Sequence, residues 1–196
     1  IPAEPLFRSR SALPDYYYFT NQNMKSNLII IFLLLTIIAC TNNEHSVDKD
    51  NAIRDFNLAI RDKNQERALL LTDSLERSGH SSTACADFMR GKVYDFTYQK
   101  RLCELYYRKS YDVLKAKPAQ EWDTYAEVGY RLSAVLSMRS DIEGSLAVAT
   151  EMLKVAEQNK DFPAEYKWSL LMQIAYCYAD LNQDTESAKA YDRAYK

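Results

Sequence analysis

Three small residues, Gly91, Ser133 and Ala175, recur at a constant spacing of 42. A second small set, Ala68, Cys103, Ser145 and Ala188, recurs every 35 to 43 residues. Each residue lies in a stretch whose apolar positions repeat with helical period, as with Ile53, Phe56 and Ile60, or Leu170, Leu171, Ile174 and Tyr178. A small side chain at a fixed point of successive helices lets paired helices approach closely. Larger neighbours such as Tyr94, Tyr107, Leu136 and Tyr178 then wedge between units. A period of this length points to stacked helical hairpins.

Eight helical segments follow from the pattern, over 48–62, 65–78, 83–98, 100–116, 121–138, 141–158, 163–181 and 184–196. Asn64, Gly79, Pro118, the run Asp161-Phe162-Pro163 and Asn182 separate them, as helix stop and start chemistry requires. With 4 glycines and 5 prolines in 196 residues, there is little material for the tight turns of an all-β fold. A helix of about 16 residues with one apolar stripe is marginal alone, so these helices must stack. The expected fold is all-α, with antiparallel hairpins in a solenoid of about four repeats over residues 48–196.

Upstream the organisation differs. Residues 1–23 carry Pro2, Pro5, Pro14 and a Tyr16-Tyr17-Tyr18 run without periodicity, and read as upstream read-through or a disordered extension. Met24-Lys25 opens a charged start, Leu28 to Ala39 forms an apolar run, and Ile37-Ile38-Ala39-Cys40 closes it. That run is shorter than the roughly 20 residues a membrane-spanning helix needs. Residues 24–39 resemble a bacterial lipoprotein signal peptide. The resemblance implies cleavage before Cys40, diacylglycerol on its thiol, and a lipid-anchored protein on the periplasmic side of the cell envelope. Residues 40–47 then serve as the lipidated cysteine and a polar tether. The absence of aspartate after Cys40 favours the outer membrane, by the sorting rule of enterobacterial lipoproteins.

The repeats themselves resemble the tetratricopeptide (TPR) family. Gly91-Lys92-Val93-Tyr94, then Cys103-Glu104-Leu105-Tyr106-Tyr107 and Ser110, follow its glycine–tyrosine, small–aromatic–small succession. Ala175-Tyr176-Cys177-Tyr178 with Ser187-Ala188-Lys189-Ala190-Tyr191 repeats it, and Ser133 to Ala149 does so more loosely. The chain departs from the family at Arg90, where leucine is usual, in units longer than the common 34 residues, and in one extra residue expected in the last turn. The resemblance implies a right-handed superhelix whose first helices line a concave groove. Carried over register by register, the partner-binding positions are Phe88, Lys92 and Asp95, then Glu127 and Tyr130, then Met172 and Tyr176. An aromatic groove with a few charges suits a protein or peptide segment. No polar capping helix follows the segment ending at Lys196. The expectation is therefore of a truncated array, continuing in the whole protein into further repeats, a membrane span and an output domain.

Other chemistries find little footing. The formal net charge of -2, from 25 basic and 27 acidic residues, gives no pull toward nucleic acid. GxGxxG, P-loop, HExxH, GxSxG and paired CxxC motifs are missing. His45 and His80 are the only histidines and read as solvated surface; Cys85, Cys103 and Cys177 read as buried free thiols. The sequence leads us to expect no catalysis, metal or cofactor. The alternative is a glycan-uptake lipoprotein with a helical-repeat support, which would need long tryptophan-bearing insertions. Only Trp122 and Trp168 are present.

Overall fold

The computed structural model describes residues 48–118 and 121–195, within a unit spanning Val47–Lys196. The assignments made for residues 1–23, the signal peptide, Cys40 and the tether lie outside the described residues. Eight helices fill the described region: α1 (Lys49–Arg61), α2 (Gln65–Arg77), α3 (Thr83–Phe96), α4 (Lys100–Ala116), α5 (Trp122–Met138), α6 (Ile142–Gln158), α7 (Ala164–Asp180) and α8 (Asp184–Ala194). Among the described residues there is no strand. The ends fall close to those expected from sequence. The third helix, expected to reach 98, stops at Phe96.

It stops there because of a turn that occurs four times among the described residues. Lys63, Tyr98, Ser140 and Asn182 all take left-handed backbone, with φ of 54°, 58°, 65° and 58°. In each case the next N–H donates to a carbonyl five residues back: Asn64 to Ala59, Gln99 to Tyr94, Asp141 to Leu136, and Gln183 to Tyr178. The left-handed residue itself donates three back, as Lys63 does to Ile60. This double capping of the last carbonyls ends one helix and aims the next antiparallel to it. The residue after each turn is the N-cap of the second helix, and Asn64 and Asp141 accept the N–H of Arg67 and Gly144 on their side chains. Four equivalent turns make four hairpins: α1–α2, α3–α4, α5–α6 and α7–α8.

The turns correct one detail of register. Ser140 and Asn182 are 42 apart, so the last turn contains no extra residue. The small residue facing into the final hairpin is accordingly Ser187. It is buried and donates to the Ala175 carbonyl at 2.9 Å, while Ala188 is exposed. Cys103, Ser145 and Ser187 are the true equivalents.

Within the hairpins, side-chain volumes complement one another. Tyr107 is fully buried with its ring against Gly91, where a Cβ would overlap it. One repeat later Ser133 stands in place of the glycine, and Ala149 in place of the tyrosine, both fully buried. Every helix packs on the next, and α1–α3, α3–α5 and α5–α7 also touch. The structure is thus a solenoid of stacked hairpins whose first helices form one continuous layer. A continuous core runs from Ala84 to Ala190, and a smaller cluster of Phe56, Ala59, Ala68 and Val93 packs the first hairpin against α3.

Arg90, the departure from leucine, has a local explanation. Its guanidinium reaches Asp73 at 2.7 Å and Glu76 at 2.5 Å on α2, and Asp87 at 3.1 Å on its own helix. Burial works against its charge, but the three carboxylates more than offset this and raise its pKa. An ion cluster ties the first hairpin to the second at this position.

Candidate functional site

The layer of first helices carries two features. The first is a cavity of about 540 Å³ at the start of the stack. Its floor is apolar: Phe56, Leu75 and Phe88 are nearly fully buried there, with Met89 and Ile53 beside them. Lys49 and Asn57 of α1, Lys92 of α3, and Glu121 and Thr124 at the start of α5 supply polar groups around it. His80, Ser81 and Ser82, from the turn after α2, close one side. That turn is shaped by Gly79, whose φ of 72° suits glycine, and by the N–H groups of His80 and Ser81 converging on the Leu75 carbonyl. His80, expected on open surface, is half-buried at this wall.

Cys85 also lines the cavity and is half-buried, whereas Cys103 and Cys177 are buried. Its thiol donates to the Glu121 carboxylate and lies 3.7 Å from the Thr124 hydroxyl. Ser82 Oγ donates to the same carboxylate at 3.0 Å and accepts the Cys85 N–H at 3.2 Å, capping α3. Burial, and then the Glu121 carboxylate, push the Cys85 thiol above its usual pKa. The arrangement keeps the sulfur protonated, which is the opposite of what a nucleophilic cysteine needs.

The second feature is a charged ladder between α3 and α5. Lys92 Nζ sits 3.5 Å from Glu127 Oε1, and Arg131 Nε donates to the same oxygen at 2.7 Å. Arg131 Nη1 donates to Asp95 Oδ2 at 3.3 Å, and the Tyr107 hydroxyl reaches that oxygen at 3.4 Å. Burial opposes the Arg131 charge, but Tyr107, Glu127 and Asp95 around it keep its pKa raised. Lys92 also lies 5.3 Å from the centroid of the Phe88 ring, within cation–π range.

The structure therefore brings Lys92, Asp95 and Glu127 together in one ion network, with Phe88 beneath Lys92. Phe88 is only 6% exposed and acts as cavity floor rather than projecting from it. Tyr130 is half-buried against Tyr166 of α7, ring centroids 6.3 Å apart. Tyr176 is half-exposed, with its ring edge-on to Tyr191 of α8, and Met172 is partly buried. These last three do not join the network. Cys40 lies outside the described residues.

The lining begins one hairpin earlier than the sequence register implies. Lys63 and Tyr98 are equivalent turn residues 35 apart, so Phe88 and Lys92 correspond to Ile53 and Asn57, and both line the cavity. Arg131, absent from the positions the resemblance implies, completes the network and follows Glu127 by four residues, the spacing of a helical ion pair. Among the described residues no cluster of His, Cys, Asp or Glu is placed to hold a metal ion, and no helix is long and apolar enough to cross a membrane. No family model matches the chain, and no curated protein matches it.

Proposed function

We propose that residues 48–196 form a TPR-like binding module, tethered to a membrane through Cys40 and holding a protein or peptide segment along its first helices. The reading rests on one observation above all, the cavity shared by three successive first helices. A ligand spanning repeat units is what a solenoid can offer and a single hairpin cannot. Exposed Tyr176, half-buried Tyr130 and the Lys92–Glu127–Arg131–Asp95 ladder extend the same layer with aromatic and charged contacts. Such surfaces bind helices or extended segments through apolar anchors and polar register contacts. The tether limits the search to a membrane surface on the periplasmic side, where the module serves as a scaffold or as the sensing part of an envelope regulator.

The test has two arms. Cys40→Ser should release the chain from membranes, and unchanged attachment would refute the tether. Retention of envelope proteins on wild-type chain should fall for the Tyr130→Ala/Tyr176→Ala double variant. Equal retention of the same proteins would remove those two positions from the binding surface.

A further inference from the structure

Resting on that reading, the geometry points to the α1–α3–α5 cavity as an anchor pocket for one bulky apolar side chain of the bound segment, with a carboxylate next to it in the partner. The cavity, about 540 Å³, has room for a bulky side chain together with the backbone and neighbouring carboxylate that accompany it. The floor fits as well. Phe56, Leu75 and Phe88 are 2%, 1% and 6% exposed and belong to the core, so the floor is preformed and rigid. Ile53, at 38% exposure, and the thioether of Met89 remain to be covered by an entering group.

Charge decides the neighbour. Besides His80 and the protonated thiol of Cys85, three charged side chains border the cavity: Lys49, Lys92 and Glu121. Glu121 already accepts from Ser82 and Cys85, so its oxygens are occupied within the wall. Lys92 shares Glu127 with Arg131, which binds that carboxylate more closely, at 2.7 Å against 3.5 Å. Lys49 stands exposed on the first turn of α1. Two ammonium groups thus border the apolar floor against one carboxylate, an excess of one positive charge. An incoming carboxylate meets attraction there, and an incoming cation meets repulsion.

The smallest probe with both elements is N-acetylphenylalanine, a ring beside a carboxylate. N-acetylphenylalaninamide removes the charge, and N-acetylaspartate removes the ring. With ¹³C-methyl methionine in the full chain, Met89 reports the pocket, while half-exposed Met138, at the end of α5 and not lining the cavity, reports nonspecific binding. We expect N-acetylphenylalanine to shift Met89 and not Met138, with a dissociation constant of about 1 mM, ordinary for so small a ligand. The amide should bind several-fold more weakly, N-acetylaspartate should leave Met89 unmoved, and Ile53→Asp should abolish the shift. An unmoved Met89, an amide that binds as well as the acid, or equal shifts at Met138 would each overturn the assignment. The two readings fail separately: envelope partners retained equally by wild type and Ile53→Asp would remove the anchor and leave the groove standing, whereas equal retention by the Tyr130→Ala/Tyr176→Ala variant bears on the groove alone.

Discussion

Replacing Gly91 with alanine separates two opposing effects. In an exposed helix the change would stabilise, because alanine is favoured over glycine by about 1 kcal/mol. Here the new methyl would overlap the ring of Tyr107. That ring is fully buried, lies 5.9 Å from Phe88 centroid to centroid, and is held through its hydroxyl to Asp95. It has no free direction in which to retreat. Inserting a carbon into such packing costs about 1–3 kcal/mol, and the rigid ring places this site at the upper end. The net expectation is a loss of about 1–2 kcal/mol, or a fall in Tm of about 3–6 °C for a domain of this size. Urea unfolding of wild type, Gly91→Ala, Tyr107→Leu and the double variant measures it as a cycle. In the Tyr107→Leu background the alanine should become neutral or stabilising. A Gly91→Ala chain as stable as wild type, or a penalty that persists without the tyrosine ring, would refute the close-approach argument.

Two further outcomes follow from buried and strained groups. Burial pushes the Cys103 thiol from 9.0 up to about 12, and burial likewise raises Tyr107 above 10.0. Between pH 9 and 12 the unfolded chain has released the Cys103 proton while the folded chain retains it, so this stability is intact below pH 9 and lost as pH rises through that window. Moving from about pH 8 to about pH 10.5 should cost about 2 kcal/mol through Cys103, with Tyr107 adding to the slope at the upper end. Urea midpoints across that range should fall, and a Cys103→Ala chain with an undiminished slope would contradict the assignment. Tyr98 holds a φ of 58° with its side chain 81% exposed, so Tyr98→Gly should raise stability by about 0.5–1 kcal/mol, and a lower melting temperature would show that the ring makes a contact worth more than the strain.

Much of the architecture could be read from the chain because its information is local. Helix ends depend on residues such as Asn64, Ser82 and Asp141, whose short side chains cap whichever helix follows them. The recurrence of Gly91, Ser133 and Ala175 marked where hairpins close, because close approach depends on the absence of side-chain atoms at one point. Ala188 and Ser187 are both small, so the sequence does not separate them, and only the turn geometry at Asn182 shows that Ser187 faces α7.

The binding surface was less legible, for a different reason. Phe88 and Lys92 were found by register, but the ladder needs Arg131, and the cavity needs Ile53, Cys85 and Glu121 from three separate hairpins. Periodicity specifies which face of a helix is apolar. It carries no information about which neighbouring hairpin reaches across to share that face. Arg90 illustrates this most plainly: in sequence it breaks an aliphatic pattern, and only the approach of Asp73 and Glu76 from α2 makes the position compatible with a charge. Secondary structure and hairpin closure arise from contacts a few residues apart, which a linear pattern records. The cavity and its charges arise from contacts across repeats, where small differences in helix approach decide which side chains meet.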